Sequence, residues 1–163
     1  AVIATSLGQI TIELNQEKAP KTVENFLAYV KSGFYDGTIF HRVIEGFMIQ
    51  GGGMDKEMKT KPTNPSIENE ANNGLSNLHG TIAMARTSNP HSATAQFFIN
   101  TEDNRGLDFQ SETEQGWGYC VFGKVTDGIE VVIAIDEKPT TTRNGFQDVP
   151  EEIVTIDKVS MLD

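Results

Sequence analysis

Short apolar runs follow one another between residues 37 and 125, and each has the length of a β-strand. Clusters of Gly, Asn, Pro and Ser separate them, and none has apolar residues at the spacing of an amphipathic helix. Short strands with turn signals between them are typical of β-sandwiches and β-barrels. The pattern therefore favours a mostly β fold. The runs are TIFHRVI, FMIQ, GTIAMAR, AQFFINT and YCVFGKV.

The residues before this region predict a hairpin and a helix. VIATSLGQITIEL alternates on both sides of a turn at Gly8, which is typical of two antiparallel strands. APKTVENFLAYVKSGF then places apolar residues at helical spacing, with Pro20 near the start and Gly33 at the end. Proline in the first turn and glycine after the last turn indicate the direction and limits of a helix.

The residues after it predict a second helix and a last strand. DGIEVVIAID places Ile129, Val132 and Ile133 on one face of a short helix. EIVTIDKVSML, residues 152–162, reads as a strand whose alternation slips near Asp157–Lys158, which indicates a β-bulge. With about eight strands and two helices, we predict a closed barrel or a sandwich over residues 1–163, with the helices covering its open ends.

Composition excludes several classes of function. A net charge of −10 lacks the basic surface that nucleic acids or anionic membranes require. No apolar run reaches the ~18 residues of a membrane span, and the first residues do not form a signal peptide. The single cysteine, Cys120, favours a reducing compartment. We predict the cytoplasm, with the periplasm as the alternative if a signal peptide preceded Ala1.

Familiar catalytic motifs are missing from the sequence. The glycine run 51–53 matches neither dinucleotide nor P-loop signatures, so it indicates a bend or a close backbone approach. The three histidines lack metal-ligand spacing, and Cys120 in YCVFG reads as a small buried hydrophobic residue. We therefore predict no metal and no cofactor.

Arg42 is the unusual residue, because it lies inside the apolar stretch FHRVIEGFMIQ. Taken alone, Arg42 could be a solvated edge residue or half of an ion pair. Gln50 could be a structural amide that bonds to the backbone, and the neighbouring Phe and Met side chains could simply belong to the core. However, folding the two arms of this stretch together would bring Arg42 near Gln50. In AQFFINT one strand face carries Gln96, Phe98 and Asn100, and in GTIAMART one face carries only small residues. Such faces suit a groove that binds a ligand with both apolar and amide groups.

Three long segments together identify a family. FHRVIEGFMIQGGG, GTIAMARTSNPHSATAQFFINT and GWGYCVFGKVTDG resemble the cyclophilin family of peptidyl-prolyl cis-trans isomerases, and NEANNGL and SATAQFFIN resemble its bacterial branch. The resemblance covers essentially the whole chain. It implies a closed eight-stranded antiparallel β-barrel capped by two α-helices, acceleration of rotation about X–Pro bonds, and assistance to protein folding. It also implies proline-containing peptides and unfolded chains as partners.

The resemblance also assigns roles to residues. The catalytic arginine corresponds to Arg42, and the indole that donates a hydrogen bond to cyclosporin A in many eukaryotic members aligns with Gly106. Trp117 cannot be assumed to replace that indole, so weak cyclosporin A binding is expected. We also expect a monomer. The alternatives are a non-catalytic proline-peptide binding module or a holdase-type chaperone on the same barrel. The implied substrate-binding residues are His41, Phe47, Met48, Gln50, Ala85, Arg86, Thr87, Gln96, Phe98, Leu107 and Tyr119.

Overall fold

The computed structural model describes residues 1–161. The last residue of the predicted final strand and the last two residues of the predicted domain, 162–163, lie outside this range. Two α-helices are present, α1 (Pro20–Lys31) and α2 (Ile129–Asp136), with short 3-10 turns at Ala71–Asn73 and Arg105–Leu107. The strands are β1 (Val2–Thr5), β2 (Gly8–Leu14), β3 (Thr38–Ile39), β4 (Arg42–Ile44), β5 (Met48–Gly51), β6 (Thr81–Met84), β7 (Phe97–Asn100), β8 (Val121–Asp127), β9 (Thr140–Arg143), β10 (Phe146–Pro150) and β11 (Thr155–Ser160).

Nine of the strands form one curled antiparallel sheet in the order β3-β11-β1-β2-β8-β6-β7-β5-β4. The mostly β fold with two helices is therefore confirmed. The closed eight-stranded barrel is not confirmed, because the sheet has nine strands and β3 and β4 are its edges. These two edge strands follow each other along the chain, with only Phe40 and His41 between them.

The concave side of the sheet carries the main core, and α1 packs against it. Val23, Phe26 and Tyr29 of α1 are 0–1% exposed, and the Phe26 ring lies 5.3–5.9 Å from the rings of Phe97 and Phe122 in the sheet. α1 begins at Pro20 as predicted, because the missing N–H of proline costs nothing in the first turn.

The face predicted for α2 is wrong. Val132 and Ile135 are fully buried, but Ile133 is 39% exposed. Five of the eight residues are Val or Ile, so the spacing of apolar residues alone does not distinguish the faces of this helix. The α2 face that is buried also carries Asp136, which accepts hydrogen bonds from the Thr101 hydroxyl and the Gly46 N–H.

The predicted bulge and strand faces are confirmed. In the β1–β11 pair, Ala4 faces Lys158 and Thr5 faces Ile156, so Asp157 is the extra residue. Alternate residues of β6 and β7 divide between two clusters, with Phe97 packing into the main core. The opposite face forms a smaller cluster of Met48, Ala83, Ala85, Phe98 and Val121, which we call the platform.

A two-stranded ribbon, β9–β10, lies outside the sheet and was not predicted. Its turn is Asn144–Gly145, with φ of 50° and 81°. Residues 54–79 form a long connection without a strand of the main sheet, as expected. Neither helix of the described chain is long and apolar enough to cross a membrane.

Candidate active site

The β4–β5 hairpin places Arg42 on the platform side of the sheet. Its turn passes through Gly46 at φ 71°, and the strands pair with Arg42 opposite Gln50. Gln50 in turn lies opposite Phe98, and Phe98 opposite Ala83, in the next strand pairs. One row across four strands therefore carries a guanidinium, an amide, an aromatic ring and a methyl group.

Gly51, the last residue of β5, and the two glycines that follow it allow close packing, as the sequence indicated. A Cβ at Gly51 would lie 2.6 Å from the Ile39 carbonyl oxygen, and Gly52 has a φ of 86°. A Cβ at Gly53 would lie 2.3 Å from Cγ of Gln96. A side chain at position 53 would thus displace Gln96 from its place beside β5.

Two glutamine amides connect Arg42 to the floor of the groove. Arg42 Nη1 donates to Gln50 Oε1 at 3.4 Å, and Gln50 Nε2 donates to Gln96 Oε1 at 3.0 Å. Arg42 itself is exposed, so its guanidinium faces solvent above the platform. The amide of Gln50 is oriented by these two bonds because its oxygen must face a donor and its nitrogen an acceptor.

A cavity of about 210 Å³ lies beside this row. Met48, Ala85 and Phe98 of the platform contribute to its lining, together with the two arginines Arg42 and Arg86. Most of the predicted site residues are brought together here. The lining consists of Arg42, Phe47, Met48, Gln50, Ala85, Arg86, Phe98, Leu107 and Tyr119.

A second cavity of about 140 Å³ adjoins the first and shares Gln50, Ala85 and Arg86 with it. It contains the predicted residues Thr87 and Gln96. Its other lining residues, Ser92 and Thr94, are polar and were not singled out by the sequence. Because they share these three residues, we treat the two cavities as one cleft. Most lining residues of the first cavity are apolar or aromatic and most of those of the second are polar, so we call them the apolar and the polar half of the cleft.

Aromatic contacts and hydrogen bonds fix one wall of the cleft. The guanidinium of Arg86 lies over the Tyr119 ring, 4.5 Å from its centroid, and that ring meets Phe98 edge-on at 5.7 Å. Arg86 Nε donates to the Gly118 carbonyl at 3.0 Å. The Tyr119 N–H donates to the Leu107 carbonyl at 2.8 Å, so the two residues are linked through the backbone.

A buried polar network behind this wall was missed by the sequence reasoning. Asn77 is 0% exposed, and its Nδ2 donates to the carbonyls of Leu107 and Tyr119, each at 3.2 Å. Asn100 Nδ2 donates to Asn77 Oδ1 at 3.1 Å, and the Asp108 carboxylate accepts from the Asn77 N–H at 2.7 Å. The only signal in the sequence was the polar position of Asn100 on the groove face of β7.

His41 lies outside both cavities, although a substrate contact was predicted for it. It is 6% exposed, and within residues 1–161 its Nδ1 has no hydrogen-bond partner. Burial, with a smaller contribution from the neighbouring Arg42 charge, lowers the pKa of His41 to about 4. The imidazole is therefore neutral at physiological pH and packs behind the strand that presents Arg42.

The structure also locates Gly106, which aligns with the indole of the family, and the single cysteine. Gly106 is exposed, with nothing within 4 Å of a Cβ built on it, whereas Trp117 packs against Phe109 and His91. Burial raises the pKa of Cys120 to about 11, which fits the predicted structural role of this thiol. Across the described residues, no three His, Cys, Asp or Glu side chains are grouped to bind a metal.

Known proteins resemble this chain over nearly its whole length. The family model for cyclophilin type peptidyl-prolyl cis-trans isomerase/CLD matches residues 1–161. The chain is 60% identical over 158 residues to peptidyl-prolyl cis-trans isomerase cyp18 of Streptomyces antibioticus, covering 97% of this chain and 95% of the relative. It is 57% identical over 157 residues to peptidyl-prolyl cis-trans isomerase B of Escherichia coli K12, covering 96% of each. A crystal structure of a Cryptosporidium parvum cyclophilin type isomerase in the presence of the dipeptide ala-pro superposes with a TM-score of 0.79 at 29% identity, covering 96% and 94%.

Proposed function

The chain belongs to the cyclophilin-type peptidyl-prolyl cis-trans isomerases, and we propose that it performs this reaction in the cleft beside Arg42. The enzyme accelerates rotation about X–Pro peptide bonds in proteins. The solved relative crystallised in the presence of an Ala-Pro dipeptide supports short proline-containing peptides as ligands of this cleft. Unfolded chains would present the same segments.

The reaction requires only that the twisted state be bound better than the planar states. Amide resonance creates a rotation barrier of ~18–20 kcal/mol, and uncatalysed exchange takes tens of seconds or longer. Cis and trans X–Pro bonds differ by only about 0.5–1 kcal/mol, so the rate is what the enzyme changes. No covalent bond is broken, and therefore no nucleophile is needed.

Arg42 provides the interaction that distinguishes the twisted state. In that state the prolyl nitrogen becomes pyramidal and recovers a lone pair, which a planar amide nitrogen does not offer. A guanidinium beside it can donate a hydrogen bond to this lone pair, and Arg42 is exposed at the edge of the cavity with Gln50 beside it. Such differential binding raises kcat rather than only affinity.

The apolar half of the cleft binds the proline ring. Phe47, Met48, Phe98 and Leu107 line it, and burial of the ring against them fixes one side of the rotating bond. The amides of Gln50 and Gln96 are oriented toward the same cleft and can bind the peptide backbone. One side of the X–Pro bond is thereby held while the other side turns.

The observation that carries the assignment is the row of Arg42, Gln50 and Phe98 beside a cavity of about 210 Å³ that Phe47, Met48 and Leu107 also line. We expect Arg42→Ala and Arg42→Lys to lower kcat/KM by about a thousandfold, which corresponds to ~4 kcal/mol of transition-state binding. NMR exchange of an Ala-Pro peptide measures this rate. Arg143→Ala, which removes an arginine outside the cleft, is the matched control. Near-normal exchange with a folded Arg42→Ala protein would refute the role of Arg42.

We also propose that the curled sheet is closed into a barrel. The edge strand β3 bonds to the chain just after β5, because the Ile39 N–H donates to the Met54 carbonyl at 3.0 Å and the Gly52 N–H to the Ile39 carbonyl at 3.3 Å. These bonds support closure of the sheet around the core. The monomeric state and the cytoplasmic location remain predictions from the sequence.

A further inference from the structure

We propose that this enzyme prefers substrates with an acidic side chain within two residues of the proline, and that Arg86 provides the preference. The inference rests on the proposed function, because it concerns the substrate of the same cleft. It goes further by naming the chemistry of the residues that flank the proline.

The charged side chains of the cleft are all cations. Arg42 and Arg86 line the first cavity, Arg86 also lines the second, and neither cavity has an Asp or Glu in its lining. The ion pairs within residues 1–161 involve other side chains, so no carboxylate lies within 4.0 Å of either guanidinium. The chain as a whole has a net charge of −10. The cleft is thus a local cationic site on an acidic protein.

Arg86 is fixed in place without being neutralised. Its Nε donates to the Gly118 carbonyl at 3.0 Å and its Nη1 to the Thr87 carbonyl at 2.8 Å, while its plane covers the Tyr119 ring. Carbonyl oxygens accept these bonds but leave the positive charge uncompensated. The guanidinium therefore loses little conformational entropy when a carboxylate binds, and Nη2 can donate to it.

Arg86 also lies where a flanking residue of the substrate would pass. It belongs to both cavities, so it stands at the junction between the apolar half and the polar half of the cleft. With the proline ring in the apolar half, each further residue of an extended peptide advances about 3.3–3.6 Å. A Glu one or two residues from the proline reaches the guanidinium. The hydroxyl and amide groups of Thr87, Ser92 and Gln96 line the space around it.

The net charge of the protein opposes this preference at long range. A negative chain repels an acidic peptide in solution, although salt screens that repulsion beyond about 10 Å at 0.1 M. Comparing a Glu peptide with a Gln peptide in two proteins of equal net charge removes the long-range contribution. Lys124 provides the matched control, because it is an exposed cation of β8 that lines neither half of the cleft.

The experiment measures the ratio of kcat/KM for Glu and Gln peptides by NMR exchange. The peptides are capped Ala-Ala-Pro-Ala-Ala with Glu or Gln at each of the four flanking positions in turn. We expect the Glu peptide to be favoured by about threefold at one or more positions in about 0.02 M salt, as for a partly exposed ion pair. The ratio should approach one in Arg86→Gln and at about 0.5 M salt, and should be unchanged in Lys124→Gln.

A ratio near one at every position in the wild-type protein overturns the proposal, as does a ratio that survives in Arg86→Gln. If Arg86→Gln does not fold, the salt dependence in the wild-type protein decides. Absence of exchange with every peptide would instead contradict the proposed function. In that case, dissociation constants from NMR titration of the same peptides still test the preference for Glu.

Discussion

Asn77 offers a sharp test, because it supports the cleft without lining it. Its Nδ2 donates to the carbonyls of Leu107 and Tyr119, and its Oδ1 accepts from Asn100. After Asn77→Ala, the Leu107 carbonyl still accepts the Tyr119 N–H at 2.8 Å, and Asn100 still donates to Thr81 Oγ1 at 2.9 Å. The Tyr119 carbonyl loses its side-chain donor. The unpaired Tyr119 carbonyl, together with the lost bonds to Leu107 and Asn100, should lower the free energy of unfolding by about 2–4 kcal/mol.

Urea unfolding measures this loss directly. With a slope of about 2 kcal/mol per molar urea, the unfolding midpoint should fall by about 1–2 M. Leu107 and Tyr119 line the cleft, so their loosened backbone should raise KM for an Ala-Pro peptide more than it lowers kcat. Asn77→Asp keeps nearly the same shape but has no Nδ2 donor, and its carboxylate would lie beside the Asp108 carboxylate that Nδ2 contacts at 3.1 Å, so it should be destabilised at least as much as Asn77→Ala.

The matched control is Asn64→Ala, which removes the same side chain from an exposed position in the 54–79 connection. It should leave both the midpoint and KM unchanged within error. The reasoning is refuted if Asn77→Asp is as stable as the wild-type protein. It is refuted in its functional part if Asn77→Ala is destabilised but its KM is normal under native conditions.

Two further predictions concern pH and an inhibitor. The pKa of His41 is lowered to about 4, whereas an unfolded histidine titrates near 6.5, so its contribution to stability is present above about pH 6.5 and is lost as the pH falls through 4. This loss is of the order of 3 kcal/mol and should be absent in His41→Gln when urea midpoints are compared between about pH 7 and 4. Cyclosporin A should bind weakly because Gly106 leaves the indole position empty; titration calorimetry that gives a nanomolar dissociation constant would contradict this.

The strands and their faces could be predicted because their alternation is local. The bulge at Asp157 was visible as a break in that alternation, and the division of β7 between core and groove followed from period two. The face of α2 could not be predicted from spacing, because its apolar residues occur on several sides. The β9–β10 ribbon carries the Asn144–Gly145 hairpin signal, but its strands, TTTR and FQDVP, have no apolar alternation.

The candidate site likewise contains residues that the sequence could predict and residues that it could not. Arg42 and Phe98 stood out because a charge and an aromatic ring lay in short strands whose pairing could be guessed. Asn77 did not, because a polar residue in a polar connection resembles any solvated loop residue until the fold covers it with the Leu107–Tyr119 segment. The burial of His41 could not be predicted either. It depends on whether the side chain between β3 and β4 faces the core, and no alternating pattern covers that single position.

The site gains its precision from strand register rather than from titratable groups. Three buried side chains whose pKa values are strongly shifted toward the neutral form, Tyr35, His41 and Cys120, all lie outside the first cavity. The residues of the proposed site are instead set in one row across β4, β5 and β7, with Arg42 opposite Gln50 and Gln50 opposite Phe98. A slip of one residue in either pairing would turn a strand's side chains to the opposite face. The backbone bonds that stabilise the sheet therefore also keep Arg42 on the same face as Gln50 and Phe98. Rotation about a peptide bond breaks no covalent bond, so this positioning is the main requirement.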